Sequence, residues 1–346
     1  MANPRVSIVV PTFNGGPYLK LLLDSILRQS FTDFEVLLLD DCSVDDSWSV
    51  MEEYRNDPRF RLFRWNPNRG AHAGTFFLLG QMRGEFWCYP GADDILEPGF
   101  LEERVKALDA NPNCALVHGQ AHYIDQIGNP AAPQAPELDI PPVMPGSRAL
   151  ETLLQHNYIN GPSVMVRSSL TRSVLPHFCG MMFNPMDWYL WILIAATGFD
   201  FAWDPRKLHS YRVHLSSNSL APDRESLRKV EIRLAPLLAL KKATHFSDLA
   251  MDAWARHGRQ LFLLTLFRCW VVRRSPSYDP MWLRQALVAH GWSGRQRLTH
   301  AFLAHLPLIL LAGWRERSVR SAQRFVTAGL AQINEPLFRR KTEDPI

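Results

Sequence analysis

The chain has 346 residues, 47% of them hydrophobic and 21% charged. That balance supplies a large buried core and excludes global disorder. The formal charge of +4 conceals an asymmetry. Residues 1–224 carry 18 Lys and Arg against 25 Asp and Glu, whereas residues 225–346 carry 20 against 9. An acidic front and a basic rear assign the halves different work. The five cysteines, at 42, 88, 114, 179 and 269, are odd in number and show no metal or redox spacing, which points to a reducing cytoplasm. No apolar stretch approaches the ~18 residues of a membrane span.

The first apolar run, Val6–Val10, is too short for a signal-peptide core and reads as a buried strand. Leu19, Leu22, Leu23 and Ile26 recur at helical spacing within Pro17–Ser30. Phe34–Leu39 is a second strand, Asp45–Arg55 a helix, Phe60–Trp65 a third strand, His72–Arg83 a helix and Glu85–Tyr89 a fourth strand. This alternation predicts an α/β fold with a mainly parallel sheet flanked by helices. In such sheets ligands sit beyond the carboxyl ends of the strands. Residues 129–145 contain six prolines, too many for a helix or central strand, and read as an excursion over the acceptor side, with a surface connection as the alternative. A helix near Ser147–His156, a strand near Ser163–Val166, a helix near Met186–Ala196 and strands near Phe199–Trp203 and Leu208–Val213 follow. From Glu225 onward the pattern is mostly helical, which divides the chain into 1–224 and 225–346.

Aspartates gather where chemistry is expected. Asp40-Asp41-Cys42-Ser43-Val44-Asp45-Asp46 follows one strand, and Pro90-Gly91-Ala92-Asp93-Asp94 follows another. Asp187 opens a helix in Asn184-Pro-Met-Asp-Trp188. Neighbouring carboxylates repel and resist desolvation, so they need a cation, a ligand or open solvent. Taken singly, each cluster is also a good helix cap or turn.

The order of the motifs resembles glycosyltransferase family 2, the inverting nucleotide-sugar transferases of the GT-A (Rossmann-like) fold. Val6-Ser-Ile-Val-Val-Pro-Thr-Phe-Asn14 is similar to that family's first strand and nucleoside loop. Gln29-Ser-Phe-Thr-Asp-Phe-Glu35, Asn68-Arg-Gly70, Arg83-Gly-Glu-Phe86, the Asp93-Asp94 pair, Asp187-Trp188 and Leu208–His214 follow in the family's order, covering residues 5–219. The resemblance implies that Pro11, Thr12, Phe13 and Asn14 line the donor nucleoside, with Phe13 stacked on the base. It implies that Asp41 accepts from a base N–H, which suits UDP- or dTDP-sugars, and that Asp93 holds the ribose or donor sugar. Asp94 then binds Mn²⁺ or Mg²⁺, and Asp187 is the catalytic base. His214 has two readings, a metal or phosphate contact or a structural histidine. Arg212 also has two, the donor diphosphate or a buried carboxylate.

Three departures from the family pattern stand out. Gly91 replaces the first aspartate of an Asp-X-Asp-Asp motif, Thr75-Phe76 replaces an Arg-Asn pair, and Met186 replaces a Glu. The implied function is transfer of a sugar from a nucleotide-sugar donor to a hydroxyl of a glycan or lipid-linked glycan in cell-surface synthesis. A catalytically weak nucleotide-sugar-binding scaffold is the alternative. No nucleic-acid reading motif accompanies the basic rear. Its apolar runs, Leu261–Val272 ending in Arg273-Arg274, and Ala301–Gly313 leading to Trp314, Arg317, Arg320 and Arg324, suit either an interfacial helix on the inner membrane surface or an ordinary helical subdomain.

Overall fold

The computed structural model describes residues 3–131, 140–178, 185–214, 225–258 and 261. The expectations placed on Asn184, on the serines after His214, on Cys179 and Cys269, and on the basic runs beyond residue 261 lie outside these residues.

Four parallel strands build the first half: β1 (Val6–Thr12), β2 (Phe34–Asp40), β3 (Phe60–Arg64) and β4 (Phe86–Cys88), in the spatial order β3-β2-β1-β4. Helices α1 (Gly16–Leu27), α2 (Ser47–Glu52) and α3 (Ala71–Gln81) connect them. Every residue of β2 is buried, as the apolar run Val36–Leu39 requires of a strand covered on both faces. Beyond β4 the sheet continues through β8 (Met165–Arg167), β6 (Cys114–Ile124), β9 (Asp200–Arg212) and the short β5 (Ile95–Leu96), with β7 (Val143–Met144) on β9. The whole is a mixed sheet. β8 runs antiparallel to both β4 and β6, while β9 is parallel to β6. The carboxyl ends of β6 and β9 therefore reach the same edge as those of β1, β2 and β4. The two strands expected near Phe199–Trp203 and Leu208–Val213 are one long strand, β9, whose register with β6 shifts past Gly119. Such irregularity lets one strand bend across a polar stretch without leaving the sheet.

Helices α4 (Phe100–Ala110), α5 (Gly146–Leu153), α6 (Ser168–Val174) and α7 (Met186–Ala196) complete the flanks. In α7 only Asp187 is not buried, so the helix is apolar nearly all round and enclosed, and Asp187 is its one carboxylate. Leu234, Ala235, Leu238 and Leu240 of α8 (Glu225–Ala243) belong to the same core cluster as α7. The described part of the basic rear thus packs on the α/β core. Among the described residues no helix is long and apolar enough to cross a membrane.

The amino edge of the sheet carries its own polar lock. Glu35 Oε1 accepts from Ser7 Oγ at 2.7 Å and from Arg83 N at 2.7 Å, and Oε2 pairs with Arg61 Nη1 at 3.0 Å. Ser7 Oγ in turn accepts from Gly84 N at 2.9 Å. A side chain at Gly84 would collide with the Ser7 backbone, so the close passage of the β4 entry past β1 demands glycine.

Candidate active site

At the carboxyl edge, the loop after β1 is laced to the loop after β2. Asn14 N donates to Ser43 Oγ at 2.9 Å, and Asn14 Oδ1 accepts from Val44 N at 3.0 Å. Gly15 N donates to Ser47 Oγ at 2.9 Å, and Gly16 N to Asp45 Oδ2 at 3.0 Å. Asn14 and Cys42 hold positive φ values of 51° and 66°, the sharp turns that bring the two loops together. Phe13 between them is 52% exposed although it is a large apolar residue. The Thr12 hydroxyl is buried without a hydrogen-bond partner among the described residues.

Asp41 is 1% exposed. Its Oδ1 accepts from Arg69 N at 2.7 Å and its Oδ2 from Gly70 N at 2.7 Å, while Asn68 Nδ2 donates to the Asp41 carbonyl at 2.8 Å. The Asn68-Arg-Gly70 motif therefore folds its amides over this carboxylate. Gly70 has φ +90°, a backbone conformation that other residues reach only with strain. Sequence reasoning recognised the motif without assigning it this task.

The loop after β4 holds the second carboxylate pair. Asp94 is 1% exposed; its Oδ2 accepts from Gly91 N at 2.9 Å and its Oδ1 from Arg212 N at 3.1 Å. A Cβ on residue 91 would stand 2.6 Å from Asp93 Oδ1 and 2.9 Å from Asp94 Oδ2. Gly91 thus gives its amide to Asp94 in space that an aspartate would fill. Burial, and then the charge of Asp93, push the Asp94 carboxyl well above the ordinary range. His214 Nε2 lies 2.8 Å from Asp93 Oδ2, and its ring packs on Tyr18 at 5.1 Å.

Arg212 lies beneath this pair. Its Nε donates to the Asp93 carbonyl at 2.8 Å, and its Nη1 to the carbonyls of Asp125 and Gln126 at 2.9 and 3.3 Å. The guanidinium sits over the Tyr18 ring at 4.6 Å. These bonds go to backbone carbonyls and hold the loops in place, and the guanidinium also bears electrostatically on the buried Asp94 carboxylate, one of the two readings the sequence allowed.

No group of three His, Cys, Asp or Glu able to hold an ion by itself forms among the described residues. Two crowded carboxylates at one loop instead match the way Mg²⁺ is usually held, by one or two carboxylates together with substrate phosphates. The residues fit a hard divalent ion completed by ligand oxygens.

Asp187 stands in the first turn of α7, half-buried, with Oδ1 accepting from Trp188 N at 2.7 Å. Trp188 Nε1 donates to the Leu153 carbonyl at 2.8 Å and anchors that turn to α5. Burial raises the Asp187 carboxyl to about 6, against hydrogen bonds from Trp188 N and the Asn157 side chain that favour the ionised form. Asn157 is itself held by Ile159 N, which donates to its Oδ1 at 3.2 Å. The Tyr89 ring, just past β4, lies between Trp87 and Trp191 at 5.6 and 6.2 Å. Both Asp187 and Asp94 bear on the Tyr89 hydroxyl electrostatically. Both acids thus lie near Tyr89, and Asp41 follows β2, two places along the same sheet edge. Sequence reading selected neither Tyr89 nor Asn157. Thr75 and Phe76, at the place of the family's basic pair, make internal contacts: Thr75 Oγ1 donates to the Ala71 carbonyl at 2.9 Å, and Phe76 packs on Phe178 at 4.2 Å.

Comparison with known proteins places this geometry. The family model "Glycosyl transferase family 2" matches residues 7–172. Residues 7–172, just under half of the chain, are thus similar to family 2 glycosyltransferases. The chain is 31% identical over 116 residues to poly(ribitol-phosphate) beta-N-acetylglucosaminyltransferase TarS of Staphylococcus aureus, a match covering 33% of this chain and 20% of that protein. It is 33% identical over 127 residues to chondroitin synthase of Escherichia coli, covering 36% of this chain and 18% of that protein. The chain therefore spans about a fifth of the length of these curated relatives. Among solved structures, mannosyltransferase PcManGT from Pyrobaculum calidifontis in complex with GDP-Man and Mn²⁺ superposes with a TM-score of 0.54 at 18% identity, over 93% of this chain and 85% of that one. S. aureus TarS in complex with UDP-GlcNAc gives 0.51 at 18% identity, over 78% and 81%. At such identities the likeness concerns the fold, and that fold is GT-A.

Proposed function

We propose that the protein transfers a sugar from a nucleotide-diphosphate donor, with UDP- or dTDP-sugars favoured, to an acceptor hydroxyl in cell-surface glycan assembly, inverting the anomeric centre. The observation that carries this reading is Asp187: a desolvated carboxylate at the same sheet edge as the Asp93-Asp94 loop, with no cationic side chain bonded to it among the described residues. The whole-chain likeness to a GDP-Man complex and the partial likeness to TarS support a nucleotide-sugar ligand.

In this reading Pro11, Thr12, Phe13 and Asn14 line the nucleoside, and the exposed Phe13 ring is the stacking surface. Asp41 presents its remaining lone pairs to the base imide, preset by the Arg69 and Gly70 amides. Asp94, with Asp93 and His214 beside it, would hold Mn²⁺ or Mg²⁺ against the diphosphate. When bound, that ion neutralises charge on the leaving group. Arg212 braces the loop carrying Asp93. Asp187 takes the proton of the acceptor hydroxyl as its oxygen attacks the anomeric carbon. The bond to the diphosphate oxygen breaks in the same displacement, and its electron pair departs with the nucleoside diphosphate. A single base on the attacking face, with no second displacement, gives inversion.

A donor screen tests this directly. Purified protein is incubated with UDP-, dTDP- and GDP-sugars and Mn²⁺ or Mg²⁺, and free nucleotide is measured. Metal-dependent release from one class of donor is expected. Failure of every nucleotide sugar to bind under any metal condition would end the enzyme reading.

A further inference from the structure

We propose that Tyr89 is a second contact for the attacking hydroxyl, paired with Asp187 across the Cα of Gly161. The proposal rests on the transferase reading above, with Asp187 as base. A methyl group on Gly161 would overlap the Tyr89 hydroxyl and stand 3.0 Å from Asp187 Oδ2. The Tyr89 hydroxyl thus fills the place a side chain on Gly161 would take, and the two oxygens stand within about 5 Å of each other. A single hydroxyl oxygen, ~2.7 Å from each, spans such a gap.

The turn carrying Gly161 is held rigidly. Ser163 N and Oγ donate to the Asn160 carbonyl at 3.0 and 2.7 Å, and Gly119 N donates to Ser163 Oγ at 3.1 Å. The buried Arg104 donates from Nε to the Ser163 carbonyl at 3.1 Å and from Nη1 to Asp204 Oδ2 at 2.7 Å. Tyr89 itself has no hydrogen-bond partner among the described residues, although its ring is fixed between two tryptophans. Burial, with Asp187, Tyr211 and Asp94 nearby, keeps the phenol protonated, so it is a donor.

The chemistry of an alcohol oxygen then sets the arrangement. Its one proton points to Asp187. One lone pair accepts from the Tyr89 O–H. The other lone pair is left for the anomeric carbon. The acceptor proton ends on Asp187, the new C–O bond forms on the attacking oxygen, and Tyr89 keeps its proton throughout. Tyr89 orients the nucleophile, and Gly161 leaves the room that the Tyr89 hydroxyl takes.

The test uses the full chain, UDP-GlcNAc with Mn²⁺, and water or added glycerol as the hydroxyl donor. Released UDP gives kcat, and calorimetry gives UDP affinity. Tyr89→Phe is expected to lower kcat about 3- to 10-fold, the loss of one neutral hydrogen bond, with UDP affinity unchanged. Gly161→Ala is expected to lower it at least as much, by pushing the Tyr89 hydroxyl from its place and crowding Asp187. In the double variant the losses should fall short of their product, because Phe removes the oxygen that the new methyl meets. Wild-type kcat in Tyr89→Phe while Asp187→Asn is inactive would overturn this proposal alone, as would a loss of UDP affinity in Tyr89→Phe. Wild-type kcat in Asp187→Asn would instead remove the base assignment on which it rests. Should Gly161→Ala not fold, Tyr89→Phe decides the matter by itself.

Discussion

The two edges of the sheet treat buried carboxylates differently. At the amino edge Glu35 has a cation, a hydroxyl and an amide: Arg61, Ser7 and Arg83 N. At the carboxyl edge Asp94 has two backbone amides, a like charge beside it and the Arg212 guanidinium nearby but bonded to backbone carbonyls, and Asp187 has an amide and the Asn157 side chain. The first arrangement is complete within the protein and fixes strand register. The second leaves negative charge to be answered by what binds there. A family motif therefore does not mark chemistry by itself; the counter-charge of its carboxylate separates scaffold from site.

The largest effect that sharpens this contrast is expected at Asp187. Asp187→Asn should reduce turnover by about 10²- to 10⁴-fold, the usual contribution of a positioned base, with UDP affinity unchanged by calorimetry. The same change should stabilise the fold at neutral pH. The native carboxyl, raised to about 6, keeps a proton that an unfolded Asp has shed, so stability falls as pH rises through that window. Removing the charge recovers up to about 2 kcal/mol of this cost, read as a higher Tm at pH 7.5 and no gain at pH 3.

Asp94→Asn should follow, with roughly 10- to 100-fold weaker UDP binding in Mn²⁺ and little difference between variant and wild type once the metal is chelated. Unchanged metal-supported affinity would break the assignment of this loop. Glu35→Gln acts oppositely. It should cost about 1–3 kcal/mol in denaturant unfolding, because the Arg61 guanidinium loses its counter-charge, and it should leave UDP affinity intact. Gly70→Ala, at φ +90°, is expected to cost about 1 kcal/mol of strain and to weaken UDP binding a few-fold by disturbing the two amides over Asp41.

The parallel half of the sheet was legible because β1, β2 and β4 are largely apolar runs and α1 repeats its buried leucines at a 3.6-residue period. α7 was legible from the length of its apolar run, although the burial of all but Asp187 left no polar face to orient it. β6 was not found. Cys114–Ile124 mixes His118, Gly119, Gln120 and His122 into a strand whose polar residues are partly enclosed by β8 and β9. The periodic Phe100, Leu101, Val105 and Leu108 of α4 did offer a signal, and it went unread. At the site, aspartates announce themselves by position after strands. Tyr89, Asn157 and Gly161 do not, because their importance arises only when β4, α7 and the turn before β8 converge.

The central claim is that Asp187 is a desolvated base on the open side of the site. The pH dependence of UDP release from UDP-GlcNAc, with UDP affinity followed in parallel, tests it most directly. With donor saturating, turnover should rise with pH through about 6 as Asp187 ionises. Turnover that stays constant from pH 5 to 8 with donor bound throughout would contradict the account.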